Sequence, residues 1–178
     1  MIDRLRWEEK HRDAEYLGEP PPFLVECARH LPLGRALDVA CGLGASSLFL
    51  ASEGFAVDAL DWSFEAVRKL SAAARHKSYL VRAVACDVTR FPLPRERYDV
   101  VLSFRFLDRS LFPSLVFSLK PGGALVFETF NLRYLEKRPD FPKEYCLEEG
   151  ELLEAFGANL RVARYRELPR ETMAALLA

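Results

Sequence analysis

Several features common in other protein classes are scarce or missing from this sequence of 178 residues. No apolar run reaches the ~18 residues that a membrane-spanning helix requires, so we expect no membrane partner. The charged segment Met1–Trp7 lacks the apolar core of a signal peptide, which predicts a cytoplasmic protein. The four cysteines form no C-x-x-C pair and the three histidines lie far apart, so we expect reduced thiols and no metal site.

Charge and composition narrow the class of protein further. The formal net charge is −1 and the arginines are scattered along the chain, which argues against a nucleic-acid partner. Half of the residues are hydrophobic, so the chain has enough apolar side chains for one globular core. We therefore expect a single domain over residues 1–178, as a monomer or homodimer, in which a polar segment 1–22 caps a core of residues 23–178.

Apolar segments alternate with amphipathic ones along most of the chain, which is typical of strands and helices that follow each other. The predicted strands are Arg35–Ala40, Phe55–Leu60, Tyr79–Ala85, Tyr98–Phe104, Ala124–Phe130, Asn159–Arg166 and Met173–Leu177. The predicted helices are Phe23–Leu31, Ala45–Glu53, a helix from the N-cap Ser63 to His76, Leu111–Leu119 and Leu147–Phe156. This order predicts the α/β class, with a doubly wound, mostly parallel seven-stranded sheet whose last two strands form an antiparallel edge.

The most informative segment is a glycine turn between the first predicted strand and the helix that follows it. The turn reads Ala40-Cys41-Gly42-Leu43-Gly44, and the second strand is followed by the acid Asp61. Glycines let the backbone approach a ligand, and the helix after the turn directs its first N–H groups toward the same place. A carboxylate at the end of the second strand can accept hydrogen bonds from a ribose diol. The pattern therefore predicts a cofactor that contains a nucleoside.

Two cofactors compete for this arrangement. A dinucleotide site requires G-x-G-x-x-G, and only the middle glycine of that motif, Gly42, is present here. Asp38 lies just before the turn, where a carboxylate disfavours a pyrophosphate and suits a cationic ligand with an ammonium and a sulfonium. A nicotinamide oxidoreductase is therefore the weaker of the two hypotheses.

Five motifs occur in an order that resembles the class I S-adenosylmethionine (SAM) methyltransferases. They are Leu37–Gly44, Leu60–Ser63, Ala85–Val88, Tyr98–Ser103 and Leu119–Gly123. Three further segments resemble the small bacterial tellurite-resistance methyltransferases, namely Phe106–Arg109, Phe127–Phe130 and Gly150–Leu153. The family usually has glycine at the position of Ala40, which we interpret as less room for the methionine moiety with binding retained. The resemblance implies a Rossmann-like fold and SAM as the cofactor.

The resemblance also assigns roles to residues around the turn. The predicted cofactor-binding residues are Asp38, Ala40, Gly42, Gly44, Asp61, Trp62, Asp87, Val88 and Ser103. Asp61 is expected to bind the ribose, and Asp87 either accepts from the adenine amino group or caps its own loop. Trp62 lies either against the adenine or in the core. Asp38 either orders water or the ammonium of the ligand, or it caps the glycine turn.

Five residues are candidates for the acceptor side of the site, and the sequence shows no identifiable catalytic residue. These candidates are Trp7, His11, Tyr16, Arg109 and Glu128. The first three lie in the polar N-terminal segment, which in related enzymes folds over the cofactor. Arg109 fits either an anionic substrate or an ion pair with Asp108 or Glu128.

These residues together predict methyl transfer from SAM to a small-molecule acceptor. The acceptor-side loops are short, which favours a small molecule over a protein or a nucleic acid. A deprotonated or soft nucleophile, such as a chalcogen oxyanion or a thiol, needs no general base, because positioning can supply most of the acceleration. The alternative is a SAM-binding protein without catalysis that acts through a protein partner.

Overall fold

One mixed β-sheet organises the chain. A computed structural model describes residues 2–14, 17–167 and 172–178, with side chains from Leu5 onward. The strands are β1 (Arg35–Val39), β2 (Ala56–Asp61), β3 (Val81–Ala85), β4 (Tyr98–Phe104), β5 (Leu119–Phe130), β6 (Arg164–Arg166) and β7 (Met173–Leu177). They are ordered β3-β2-β1-β4-β5-β7-β6 across the sheet.

The sheet is parallel from β3 to β5 and antiparallel at one edge. Strand β7 runs antiparallel to both β5 and β6, so the last two strands form the expected antiparallel edge, with β6 outermost. The predicted doubly wound, mostly parallel seven-stranded α/β fold is therefore confirmed. The order of the strands reverses between β1 and β4, and ligands of such sheets bind outside the carboxyl ends of the strands at this reversal.

Helices cover both faces of the sheet. They are α1 (Ile2–Asp13), α2 (Pro22–Cys27), α3 (Ala45–Ser52), α4 (Phe64–His76), α5 (Phe112–Ser118), α6 (Tyr134–Lys137) and α7 (Glu151–Phe156). One face packs against α2, α3 and α4 through Phe23, Leu50 and Leu70. The other face packs against α5 and α7 through Leu115 and Phe156. Two apolar cores therefore fix the sheet, and the loops at its carboxyl edge lie between them.

Helix α4, beside the site, is specified by its N-cap residue and by one apolar face. Ser63 is its N-cap, as predicted, and its hydroxyl accepts a hydrogen bond from the Ala66 N–H at 3.1 Å. Ala66, Leu70 and Ala74 recur every four residues and are buried, so one face of the helix packs on the sheet.

Several predicted boundaries were wrong, each for a local reason. Strand β5 begins at Leu119 and not at Ala124, because a bulge in the β4–β5 pairing absorbs the predicted Pro-Gly-Gly turn. Helix α7 begins only at Glu151, because Gly150 adopts a left-handed conformation with φ of +76°. The regular part of β6 is limited to Arg164–Arg166, since the amides of Asn159 and Leu160 donate back to the carbonyl of Phe156. The polar N-terminal segment contains helix α1. The sequence did not predict this helix because the segment has no apolar stripe.

Two kinds of feature are absent from the described residues. In residues 2–14, 17–167 and 172–178, no helix is both long and apolar enough to cross a membrane. The same residues contain no group of three or more His, Cys, Asp or Glu side chains placed to hold a metal ion.

Leu70→Ala is expected to destabilise the protein by about 2–5 kcal/mol, because it leaves a cavity where α4 packs on the sheet. Leu70 is fully buried, whereas Leu80, the matched control, is 71% exposed. Urea denaturation of both variants measures the difference. A loss of unfolding free energy for Leu70→Ala no larger than that for Leu80→Ala would contradict this packing.

Candidate active site

The glycine turn holds an unusual backbone conformation. Ala40, Gly42 and Gly44 have φ angles of +56°, +53° and +84°, all in the left-handed region. A Cβ at Gly44 would lie 2.3 Å from Leu70 Cδ1, so this position also lacks room for a side chain. Ala40 tolerates its left-handed conformation at a cost of about 1–2 kcal/mol, and backbone strain of this kind is common at ligand sites.

Asp61 fastens the turn to the end of β2. Its Oδ2 accepts a hydrogen bond from the Gly42 N–H at 2.7 Å, and its Oδ1 accepts one from the Ser63 N–H at 2.8 Å. The residue is 7% exposed. An ionised carboxylate has about four lone-pair sites, so two remain for the hydroxyl groups of a ribose. The geometry therefore suits the predicted ribose contact.

Asp38 has a partner within the fold. The Ser47 hydroxyl of α3 donates to its Oδ2 at 2.6 Å, and the side chain is almost fully buried. Burial, assisted by the negative charge of Asp61 and opposed by the Ser47 hydrogen bond, raises the pKa of Asp38 to about 7. This geometry favours the capping alternative, in which Asp38 ties β1 to the helix after the turn.

The adenine side of the site combines Trp62 with the loop after β3. Trp62 is 37% exposed and so does not lie in the core. Asp87 Oδ1 accepts from the Thr89 N–H at 3.0 Å and from its hydroxyl at 2.7 Å, which is the loop-capping arrangement. Among the described residues, Asp87 Oδ2 has one ion-pair partner, Arg90 at a long 3.7 Å, which leaves this oxygen accessible to an amino group. Val88 is buried against the core.

Three buried polar atoms lack a hydrogen-bond partner in the part of the chain that the structure describes. They are the Ser103 hydroxyl at the end of β4, and Nδ1 of His11 and Oε2 of Glu8 on α1. Buried polar groups normally form hydrogen bonds. The Ser103 and His11 atoms, together with the free lone pairs of Asp61, fit a polar cofactor bound across β1, β2 and β4.

Helix α1 lies over the glycine turn, and its attachment is polar. The Lys69 ammonium donates to the carbonyls of His11, Arg12 and Ala14 at 2.7, 2.8 and 2.7 Å, which satisfies the carboxyl end of the helix. The Glu65 N–H donates to Glu8 Oε1 at 3.2 Å. Both contacts join α1 to α4.

This attachment places His11 at the site. The side chain is 7% exposed, and a Cβ on Gly42 would lie 3.8 Å from its Nε2. Burial lowers the pKa of His11, although the nearby charge of Asp61 opposes the shift. Trp7 shares this face of α1, with its ring centroid 5.5 Å from that of His11, and is 45% exposed. Tyr16, the third predicted residue of this segment, lies outside the described residues.

The predicted role of Arg109 needs correction. Its guanidinium forms two hydrogen bonds with the carboxylate of Glu151, at 2.6 and 2.9 Å, and donates to the carbonyls of Glu144 and Cys146. The partner is thus neither Asp108 nor Glu128, and the side chain braces the insert between β5 and α7. Because its donors are engaged, we withdraw Arg109 from the substrate site. Glu128 is buried near the end of β5, where its carbonyl accepts from the Arg105 N–H at 2.8 Å.

Neither cysteine near the turn is a nucleophile. Burial raises the pKa of Cys41 well above its ordinary value and also raises the pKa of Cys86. A thiol is nucleophilic only as the thiolate. Both residues are partly buried, and their raised pKa keeps them as thiols at neutral pH.

The sequence did not identify two residues that matter to the site. Lys69 lies among other charged residues on α4, and its spacing gives no sign that it caps another helix. Arg105 follows β4 directly and has a left-handed φ of +55°. Its position directly after a central strand could have indicated that it lies at the ligand edge of the sheet.

Known proteins similar in sequence include several methyltransferases. The methyltransferase-domain family matches residues 36–123. The ubiquinone biosynthesis O-methyltransferase of Burkholderia thailandensis is 31% identical over 136 residues, which are 71% of this chain and 58% of that protein. TehB of Haemophilus influenzae, named a probable SAM-dependent methyltransferase, is 26% identical over 100 residues, 54% of this chain and 35% of that protein. The chain spans 58% of the length of the first curated relatives it matches.

Solved structures share the fold. TehB of H. influenzae superposes with a TM-score of 0.73 and 19% identity over 87% of this chain and 60% of its own. The geranyl diphosphate C-methyltransferase of Streptomyces coelicolor was solved with S-adenosylhomocysteine. It superposes with a TM-score of 0.75 and 15% identity over 99% of this chain and 96% of its own. The predicted resemblance to class I SAM-dependent methyltransferases is confirmed, and with it the cofactor class.

Asp61→Ala is expected to weaken the binding of S-adenosylhomocysteine by about 2–4 kcal/mol, because it removes charge-assisted hydrogen bonds to the ribose. Calorimetric titration measures the change. The matched control is Asp99→Ala, since Asp99 also accepts a backbone N–H, from Arg35 at 2.7 Å, but lies at the opposite edge of the sheet. Unchanged affinity in a folded Asp61→Ala protein would refute the ribose assignment.

Lys69→Met is expected to release α1 from α4. The substitution keeps the apolar stem of the side chain but removes the three hydrogen bonds of the ammonium, so amide hydrogens of residues 5–14 should exchange at least about tenfold faster. The control is Arg68→Met, because Arg68 pairs with Glu65 on the surface of α4. Equal exchange rates in the two variants would show that Lys69 does not hold the helix.

Proposed function

We propose that this chain transfers a methyl group from SAM to a small-molecule acceptor. The observation that carries the proposal is the carboxylate of Asp61, which fastens a left-handed glycine turn at the point where the strand order reverses. The matched family supports the same cofactor. For the acceptor we propose a soft or deprotonated nucleophile, of which a chalcogen oxyanion or a thiol is an example.

The residues of the site would bind the cofactor along the carboxyl edge of the sheet. When bound, SAM supplies a methyl group on a positively charged sulfur. This sulfur leaves readily, because it becomes a neutral thioether when the carbon–sulfur bond breaks. Gly42 and Gly44 would allow the backbone to approach the methionine portion. Asp61 would hold the ribose, and Trp62 with Asp87 would hold the adenine.

Catalysis would then depend mainly on orientation. The acceptor lone pair forms a bond to the methyl carbon as the carbon–sulfur bond breaks, so the acceptor must approach in line from the side opposite the sulfur. Ser103, at the end of β4, and Trp7 and His11 of α1 lie where they would border that approach. We assign no general base, because a deprotonated acceptor has no proton to lose.

The attached helix α1 would keep water away from the reacting atoms. His11 is buried against the turn, and its lowered pKa keeps the imidazole neutral near pH 7. A neutral ring avoids placing another positive charge beside a sulfonium. The polar contacts of Lys69 and Glu8 would let the helix open for ligand exchange without exposing a large apolar surface.

Incubation with SAM labelled in the methyl group tests this proposal. Selenite, a small thiol and a phenol are offered in parallel, and transfer of label to at least one acceptor is expected. The Asp61→Ala protein is the control and should transfer much less. Tight binding of S-adenosylhomocysteine without transfer to any acceptor class would contradict catalysis and support the alternative, a SAM-binding protein without activity.

A further inference from the structure

The structure leaves three buried polar side-chain atoms of its described part without a hydrogen-bond partner. Two belong to α1, Oε2 of Glu8 and Nδ1 of His11, and the third is the hydroxyl oxygen of Ser103 near the end of β4. Native folds rarely bury such an atom without a use for it, because its lost hydration is not replaced. Helix α1 covers the glycine turn, and β4 ends at the ligand edge of the sheet, so these atoms indicate a ligand bound there.

His11 is held directly over the cofactor turn. Its side chain is 7% exposed, and a Cβ on Gly42 would lie 3.8 Å from Nε2. The main chain at His11 is also fixed, because its carbonyl accepts from the Lys69 ammonium at 2.7 Å. When Nε2 carries the hydrogen of the neutral ring, Nδ1 is a hydrogen-bond acceptor. The imidazole therefore has a fixed place and one buried nitrogen that no described protein group uses.

The charges that act on His11 come from three elements. Glu8 of α1 and Asp61 of β2 are acidic, whereas Lys10 of α1 and Lys69 of α4 are basic. Burial has the largest effect and lowers the pKa of His11, so the ring is neutral near pH 7 and able to accept a proton. The two carboxylates favour the protonated ring once it has formed, because opposite charges attract.

Ser103 supplies a second polar group near the same place. The pairing of β1 with β4 sets Ser103 beside Val39, three residues before Gly42. Its side chain is almost fully buried, and its hydroxyl is unpaired among the described residues. Ser103 and His11 thus flank the point where the strand order reverses. A hydroxyl can donate as well as accept, so Ser103 is suited to orient an acceptor atom whose proton points toward His11.

The basicity of His11 fits a thiol better than other protic acceptors. A thiol has an ordinary pKa of about 8.5, close enough to that of an imidazole for the proton to transfer readily. An alcohol is far less acidic. Most thiols are protonated near pH 7, whereas the thiolate is the nucleophilic form. A thiol acceptor therefore needs a neutral base beside it, and the imidazole of His11 is such a base.

We propose that the methyl acceptor is a thiol and that His11 accepts its proton as the methyl group is transferred. This proposal rests on the proposed function, since it names the acceptor of that reaction and a residue that acts on it. His11 is then a catalytic residue, because Nδ1 contacts the reacting thiol. An acceptor that arrives deprotonated does not need His11, so the two kinds of acceptor respond differently to its loss.

Atoms and charge balance in this step. The acceptor sulfur forms a bond to the methyl carbon while the bond from that carbon to the sulfonium sulfur breaks, which leaves a neutral thioether. The thiol proton moves to Nδ1 of His11. The positive charge of the sulfonium is thereby replaced by that of the imidazolium, which the carboxylates of Glu8 and Asp61 stabilise. The imidazolium returns its proton to water after the product leaves.

Two aromatic thiols of different acidity test the proposal in His11→Gln, which keeps a polar side chain but cannot take up a proton at neutral pH. Phenylmethanethiol is protonated there, whereas para-nitrobenzenethiol is ionised. Methyl transfer to phenylmethanethiol is expected to fall at least about a hundredfold, the usual contribution of a general base, and transfer to para-nitrobenzenethiol to change little. The control is His30→Gln, because His30 is exposed and precedes β1 at the opposite edge of the sheet. Equal losses with the two thiols would overturn the proposal.

The pH profile separates proton transfer from a structural effect. Because the lowered pKa keeps His11 neutral, wild-type transfer to phenylmethanethiol should vary little between about pH 7 and 8. In His11→Gln the thiolate must form in solution, so transfer should rise about tenfold over that pH unit. Profiles of the same slope in the two proteins would contradict a role for His11 as the base.

Nuclear magnetic resonance supplies a readout that depends neither on turnover nor on the folding of His11→Gln. The ring-nitrogen resonances show which nitrogen carries a proton or accepts a hydrogen bond, and His30→Gln and His76→Gln identify the other two histidines. With S-adenosylhomocysteine bound, phenylmethanethiol is expected to shift the Nδ1 resonance of His11. Benzyl methyl sulfide, which has a similar shape but no proton on its sulfur, should not. Equal shifts with both compounds, or no shift with the thiol, would contradict the proposal.

The failure of this inference differs from the failure of the proposed function. If S-adenosylhomocysteine does not bind, or if no acceptor of any class is methylated, the proposed function is wrong and the inference falls with it. If the methyl label reaches selenite or a phenol but neither thiol, the inference alone is wrong.

Discussion

The buried carboxylate of Asp61 is the interaction on which the site depends. Removing a charged group from water is costly unless hydrogen bonds replace its hydration. Asp61 meets this requirement by accepting from the Gly42 N–H in the turn and from the Ser63 N–H at the start of α4. The same two bonds fix the turn relative to β2, so the geometry that satisfies the charge also shapes the cofactor site.

Helix α4 extends this constraint to the rest of the site. Ser63 is both the N-cap of the helix and a partner of Asp61. Leu70, two turns further on, fills the space that a side chain at Gly44 would need. Lys69, the neighbour of Leu70 in the sequence, holds the carboxyl end of α1. One helix thus connects the apolar core, the glycine turn and the segment that covers it.

The sequence predicted the centre of the fold well and its borders poorly. Strands such as Tyr98–Phe104 are almost continuously apolar because both faces are covered, and this pattern is visible in the sequence. Asp61 and the glycines were predictable because their chemistry depends on local spacing. Helix α1, in contrast, is mostly polar and is held by hydrogen bonds from Lys69 and Glu65 of α4, which depend on tertiary structure. Arg109 was misjudged for the same reason, since its partner Glu151 is distant in the sequence.

The acceptor side reflects the same division. A position after a strand indicates that a residue lies at the ligand edge, but it does not reveal what covers that edge. His11 reaches the glycine turn only because contacts from α4 hold helix α1 in place.

Calorimetric titration of the wild-type protein with S-adenosylhomocysteine, with NADH as the control ligand, tests the central claim most directly. We expect one site per chain with micromolar or tighter affinity for S-adenosylhomocysteine and no binding of NADH. Binding of NADH in preference to S-adenosylhomocysteine, or binding of neither, would contradict the account of the glycine turn and Asp61 as a SAM site.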